Sequence, residues 1–470
     1  MNLYNYKNYF WVVAACSMLG TACKDSYLEV RPTGLDNEAS FFAKQGRQQE
    51  VLNSAYRSLG DDNFLGKNVP IVNETWSDNV IVVNPTQRPY FNHILGQVFN
   101  DEFNGSLLDG MGNVCRDANY AIYGVEKFGD NVSASDKTRI IAEAKFVRAI
   151  AHFETVRLFA QPWGFTADNS HAGIGLRQRW EELQVSRSSV SETYNMIIQD
   201  LKDAEANLTG SGTVYATKAA AQAYLAKVYF QQNRYQEAYN AANSALAGVQ
   251  PDSLKYRFST SAPYTGSIFQ LTSNLVTGQG LRSYNIANEY LTAVIQPNIQ
   301  IDPVFAASIP AADARRKAWI VDDVITTGTI YRLTKFPVSG QFNMNVLHWA
   351  EITLLRAEAA AELNQIGNAL ADLNAVRGRA GYTPLTLTSA ADIIRAVRTE
   401  RRIELMGEGN RTQDIKRIGA ASARGVTQVA DANINVRNAP WNCPGFVVQF
   451  PSKELAGNPN FFGNPQGRCN

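Results

Sequence analysis

Apolar residues recur at helical spacing in several separated blocks of this chain, with irregular stretches between them. In 143–159, Phe146, Ile150 and Phe153 stand at i, i+4 and i+7, the mark of one buried helix face. Gln161-Pro162-Trp163-Gly164 then stops the pattern. Ser189 and Glu192 form an S-x-x-E capping box ahead of a stripe made by Tyr194, Ile197, Leu201, Ala204 and Leu208. Residues 217–246 predict two helices, 219–232 and 235–246, broken at Asn233. Ala223 and Ala226 alternate there with Tyr224 and Tyr229, and Ala238, Ala242 and Ala245 recur in the second helix. Small residues facing large ones let antiparallel helices approach closely. A similar pair is expected over 347–379, with Ala350, Leu354 and Ala357 on one helix, a break at Gly367, and Ala369, Leu373 and Val376 on the next. Such pairs have the size of tetratricopeptide units. Two stretches, near 61–112 and 249–345, lack sustained helical period and predict loops and short strands. The expected fold is all-α: a tetratricopeptide-like helical-repeat scaffold with irregular, loop-rich insertions, forming one domain over 41–470.

The first residues fall outside that scaffold. Lys7 precedes an apolar run over 9–19, too short for a spanning helix of roughly 20 residues. Gly20-Thr21-Ala22 and then Cys23 follow, as in a bacterial lipoprotein signal. Residues 1–22 are therefore expected to be a signal peptide and Cys23 the lipidation site; a plain secretory signal is the other reading. Residues 23–40 then form an extended leader, since Pro32 disfavours helix before it. With Cys16 in the signal and Cys23 acylated, Cys115, Cys443 and Cys469 remain, enough for one disulfide. Cys443 with Cys469 is the expected pair because both lie in the irregular tail. The alternative is three free thiols.

The 44 basic and 43 acidic residues nearly cancel, so no basic face for nucleic acid is expected. Enzyme motifs are absent. His93, His152, His171 and His348 form no HExxH, no G-x-S-x-G or Walker A loop occurs, and Gly278 and Gly280 make only a lone GxG. No CxxC exists, and no metal or cofactor is expected. Asp61-Asp62 and Asp322-Asp323 are adjacent in sequence, and neighbouring side chains usually point apart rather than converge on a glycosidic bond. Glu400, Glu404 and Glu408, interleaved with Arg401, Arg402 and Arg411, read as a helix carrying internal ion pairs that ends at Gly409, in preference to an anion site. The candidate ligand-binding residues are the aromatics of the insertions: Trp76, Tyr90, Tyr284, Tyr290, Trp319 and Tyr331, with Asp78 and Asn79 beside Trp76. A flat ring with a polar tip suits the C–H face and hydroxyl rim of a sugar.

Five landmarks, in order, resemble a known family. Cys23 followed by Tyr27-Leu28-Glu29 and Pro32 is similar to its start. Glu143-Ala144-Lys145-Phe146 with Arg148 resembles its E-A-x-F-x-R helix. Ala350-Glu351 through Leu354-Leu355, then Leu373-Asn374 and Val376-Arg377, resembles its late repeat. Glu400-Arg401-Arg402 with Glu404-Leu405, Glu408-Gly409, Arg411 and Asp414 resembles a further helix, and Pro451-Ser452-Lys453-Glu454-Leu455 with Asn458-Pro459-Asn460 and Asn464-Pro465 resembles its tail. The family is the SusD/RagB nutrient-binding lipoproteins of Bacteroidetes. The resemblance implies four helix pairs, the first split by an insertion between 51–59 and 115–128. It implies a lipid-anchored, cell-surface protein of the outer membrane that captures an oligosaccharide or peptide without catalysis. It also implies a SusC-like TonB-dependent transporter as partner. A tetratricopeptide scaffold that docks only proteins, and a surface glycoside hydrolase, are the alternatives.

Overall fold

The computed structural model describes residues 37–83, 101–182, 184–254, 257–258, 266–272, 284–290, 297–325, 328–337, 342–431, 435–436, 439–467 and 469. The expected signal, Cys23 and most of the leader lie outside them. The chain divides into two compact units, Met1–Arg47 and Gln48–Asn470. The described part of the first is the short helix α1 (Glu38–Phe42), capped by the Asn37 side chain, which accepts from Ser40 N at 2.8 Å.

In the second unit the helices stack in chain order. After α2 (Arg47–Leu59) and α3 (Asn68–Thr75) come α4 (Asp101–Phe128), α5 (Ala134–Phe159), α6 (Val190–Asn207), α7 (Lys218–Gln231) and α8 (Tyr235–Ala245). Each of α4 to α8 packs on the next. The insertion then carries α9 (Tyr284–Tyr290), α10 (Pro303–Ser308) and α11 (Ala314–Trp319) before α12 (Trp349–Glu362) resumes the stack against α8. Helices α13 (Ile366–Arg379) and α14 (Ala390–Glu404) both pack on α12. Then come α15 (Arg411–Arg424) and the short α16 (Ser452–Gly457). The helical-repeat scaffold expected from periodicity is present, and the capping box at Ser189 and Glu192 is formed. Helix α2 touches α4 through Asp117, which accepts from Ser54 Oγ at 3.1 Å and Ser58 Oγ at 2.9 Å.

Strands occur only as two-stranded pairs among the described residues. Strand β1 (Val80–Val82) pairs antiparallel with β5 (Ile299–Ile301), tying the two insertions together. Short β2 (Ala172–Gly175) and β3 (Arg187–Ser189) bracket the connection from α5 to α6. Strand β4 (Ser267–Leu271) pairs with β8 (Met344–His348), and β6 (Ile320–Ile325) with β7 (Gly328–Leu333) forms a hairpin.

Three expectations need correction. Helix α4 begins at Asp101, so the early irregular stretch does not reach 112. Its glycines hid it. Gly110 is required by packing, since a Cβ there would stand 2.9 Å from Asn63 O. The break between α12 and α13 is at Asn364, whose φ of 58° is left-handed; Gly367 sits inside the following helix. The charged segment over 399–417 does not form a helix that runs to Gly409 with its ion pairs internal. Helix α14 ends at Glu404, a turn and the start of α15 follow, and Glu400, Glu404 and Glu408 pair with other elements, whereas Asp414 pairs with Arg401 and Arg417 inside the segment. Glu400 and Glu404 share a face of α14, and both accept from Arg315 Nη1, at 2.6 and 2.9 Å. Arg257 joins Asp252, Glu404 and Glu408. This buried network fastens the late insertion to the last repeat.

Cys443 and Cys469 are bridged, with Cα atoms 5.3 Å apart and 26 residues of separation. By loop-closure entropy such a bridge stabilises by about 3–4 kcal/mol.

Lys416 is buried on α15 and donates to Arg157 O at 2.9 Å. Burial, with the nearby Arg157 charge, pushes its amine down to about 7. The unfolded amine titrates near 10.4, so between these values the unfolded chain binds more protons, and stability rises with pH. Lys416→Met is expected to flatten that rise. Thermal midpoints of both proteins from pH 7 to 10 test this, and parallel curves would refute it.

Candidate functional site

The structure disperses the residues singled out from sequence. Trp76, Asn79, Tyr290 and Trp319 are all buried. Asn79 accepts from Arg402 Nε at 2.8 Å and so holds α14 to the early insertion. Tyr290 stacks on Phe336 at 5.8 Å. Trp319 lies under Lys335, whose Nζ is 4.2 Å from the ring centroid, at the edge of a shallow groove of about 730 Å3. Asp78 is bonded by Arg411 at 2.7 and 3.1 Å. Burial raises its carboxyl pKa, but Arg411 and Arg402 outweigh that and hold it below the usual range. Tyr331 is half-buried, with Arg316 5.8 Å from its ring. Tyr90 and the Tyr284 side chain lie outside the described residues. The adjacent carboxylates do not converge: Asp322 pairs with Arg316 and Asp323 with Arg332.

An accessible aromatic site lies elsewhere, on the scaffold itself. A cleft of about 520 Å3 opens between α4, the segment after β2, and the C-terminal tail. Trp180, half-buried, stands on its wall with its ring 4.3 Å from Tyr120 of α4. Phe450 and Phe461, in edge contact at 4.7 Å, form the opposite side. The rim carries charged side chains of both signs, several of them paired. Arg179 donates to Glu182 at 2.9 Å, Arg177 to Glu454 at 3.4 Å, and Lys453 pairs with Asp109. The surface is thus apolar rings within a rim of balanced donors and acceptors, which suits a neutral polyol better than a strongly charged ligand.

Helix side chains pin the Trp180 segment. Arg148 of α5 reaches Asp200 of α6 with two bonds of 2.8 Å, Asn119 Oδ1 at 2.7 Å and Gln178 O at 2.6 Å. Asn119 Nδ2 donates to Arg177 O at 3.1 Å. His152 Nε2 accepts from Arg177 N at 3.2 Å, and Nδ1 donates to Arg148 O at 2.9 Å, which fixes a neutral tautomer. Burial agrees, pushing the imidazole down to about 3. Cys115 lies 3.8 Å from that ring, and burial pushes its thiol up to about 12. It is no nucleophile. The tail is held similarly: Asn458 Nδ2 donates to Val185 O, and Asn464 Nδ2 to Phe159 O and Val448 O, at 2.8–2.9 Å. Arg187 lies over Phe450 at 4.8 Å and donates to Gly173 O at 2.6 Å.

Sequence reading missed this site because Tyr120 sits on a long helix, where a ring reads as core, and Trp180 in a short connection. The one available signal was Trp180 among charged residues, with no apolar period around it.

Comparison with known proteins bears on the whole chain. The family model described as "SusD family" matches residues 180–442, and one described as "Starch-binding associating with outer membrane" matches 27–230. SusD-like protein P2 of Formosa agariphila is 22% identical, covering 97% of this chain and 98% of that protein. The crystal structure of a SusD superfamily protein from Bacteroides thetaiotaomicron superposes with TM-score 0.75 at 22% identity, covering 89% of this chain and 99% of that one. A SusD-like carbohydrate binding protein from Bacteroides vulgatus gives 0.71 at 17% identity, covering 89% and 97%.

Proposed function

The chain belongs to the SusD family, and from that membership we propose that it is a carbohydrate-binding lipoprotein of the outer-membrane surface. Cys23 carries the lipid, and the leader spaces the domain from the bilayer. The protein captures an oligosaccharide without cleaving it and delivers it to a SusC-like TonB-dependent transporter, which supplies the energy for uptake. The observation that carries the reading is Trp180, a partly exposed ring on the wall of a cleft of about 520 Å3 rimmed by charges of both signs. A sugar ring stacks its C–H face on the indole, and its hydroxyls exchange hydrogen bonds with the rim. Support also comes from the descriptions of the matching family and of the carbohydrate-binding neighbour.

Trp180→Ala is expected to weaken oligosaccharide binding about tenfold, the loss of one stacking platform and its buried area. Isothermal titration of both proteins against maltodextrins, laminarin, xylan and cellulose fragments, with a peptide library in parallel, measures it. Retention of peptides alone would move the reading to peptide capture. Carbohydrate binding that Trp180→Ala leaves unchanged would remove this cleft from the account.

A further inference from the structure

Phe450 and Phe461 touch in the cleft wall with ring centroids 4.7 Å apart, so the chain between them, 451–460, leaves the wall and returns to it. The middle of this excursion is α16, which buries none of its residues; Leu455 is 38% exposed. Its flanks differ. Pro451 is buried, and Asn458 is buried with its Nδ2 donating to Val185 O at 2.9 Å. The helix between these fixed points is held across the cleft by polar contacts. Asp101, Gly105 and Asp109 stand at i, i+4 and i+8 on one face of α4. Asp101 Oδ1 accepts from Ser452 N at 2.7 Å and from Ser452 Oγ at 3.1 Å. Lys453 passes Gly105, where a Cβ would stand 3.4 Å from its Cε, and its Nζ pairs with Asp109. On the opposite side Glu454 accepts from Arg177 Nη2 at 3.4 Å, and Gln184 Nε2 donates to Gly457 O at 3.0 Å. The Lys453 and Asp109 side chains are 58% and 52% exposed. Exposed ion pairs add little stability and weaken with salt. A segment without buried apolar contacts opens more readily than the packed chain around it. Asp109, Arg177 and Glu454 all line the cleft, so these weak bonds bridge its walls.

We propose that α16 is a flap over the cleft, hinged at Pro451 and Asn458 and latched to α4 by Lys453 with Asp109 and Ser452 with Asp101, which swings away to admit an oligosaccharide. This rests on the carbohydrate reading and adds a gate to it. On opening, Asp109 and Glu454 exchange their bonds to Lys453 and Arg177 for water and then for sugar hydroxyls.

A neutral oligosaccharide carries no charge for salt to screen, so a salt-dependent association rate reports the latch. The test is stopped-flow binding of maltodextrin, laminarin, xylan and cellulose fragments at low and high sodium chloride. For the glycan that binds, high salt is expected to speed association with wild type about threefold. Lys453→Ala is expected to associate at that faster rate in low salt and to lose the salt dependence. Its dissociation rises by a similar factor, so Kd moves less than about twofold, whereas loss of a sugar contact would raise dissociation alone. Asp109→Cys with Lys453→Cys, joined by a short bismaleimide, is expected to slow association more than about tenfold against the unjoined double variant. Equal association with the joined and unjoined proteins, or a wild-type rate indifferent to both salt and Lys453→Ala, overturns the flap while leaving the cleft in place. Absence of binding by all four glycans overturns the carbohydrate reading, and the gate with it.

Discussion

Glu404→Gln is expected to destabilise the protein by about 3–5 kcal/mol, the cost of removing one partner from a buried ionic cluster. Glu404 is fully buried at the end of α14 and accepts from Arg257 at 2.8 Å and from Arg315 at 2.9 Å, with Arg379 on the same oxygen as Arg257. An amide would turn an N–H toward guanidinium groups that can only donate. Arg315 keeps Asp313 and Glu400, and Arg257 keeps Asp252 and Glu408, so the cluster loses balance without losing every contact. Urea denaturation at pH 7 measures the change, and a loss below about 1 kcal/mol would mean the cluster relaxes or admits water. The acid limb gives a second check. Burial alone would raise the Glu404 carboxyl pKa, but Arg379, Arg257, Arg315 and Lys335 hold it well below the usual range. A group depressed in this way contributes stability above its unfolded pKa, near 4.3, and that contribution is lost as pH falls toward the folded value. The glutamine variant should therefore show a shallower loss of stability below pH 4 than wild type.

Arg148→Met is expected to cost a similar amount, about 3–5 kcal/mol, because Asp200 stays buried without its bidentate partner. It should also cost binding. Arg148 holds Gln178 O and Asn119, and these fix the backbone two residues before Trp180. Combining it with Asp200→Leu separates the effects. Replacing a buried pair with apolar side chains is often close to neutral, so the double variant should regain most of the stability. It cannot regain the bond to Gln178, and carbohydrate affinity and hydrogen-exchange protection at 177–180 should stay low. Recovery of both together would show that Arg148 serves the scaffold and not the site.

The landmark Arg148 illustrates how far the sequence could be read. Its place in an E-A-x-F-x-R helix was visible, yet the helical period at Phe146, Ile150 and Phe153 says only that α5 has a buried face. The same holds for Glu400 and Glu404. Four-residue spacing suggested pairs along one helix, but the structure turns both toward Arg315, some 85 residues earlier in the chain. Asn458 and Asn464 were recognisable as a tail motif; their role as ties to Val185 and Phe159 was not. The aromatic candidates fared differently from the scaffold. Trp76, Tyr290 and Trp319 stand at the ends of short helices within the insertions, but an insertion must bury its own apolar surface to stay on the scaffold, and those rings do it.

What the residues fixed on their own was local: the helix periods, the Ser189 cap, the break at Asn233, and hence a stack of paired helices. Those follow from backbone sterics and from which faces exclude water, and each is set within a few turns. Which charges meet, which rings stay wet, and where a cleft opens depended on segments far apart in the chain, such as 101–128, 177–182 and 450–461, coming together. Spacing along a sequence carries no term for that convergence, because contact between distant segments is decided by the packing of the whole unit.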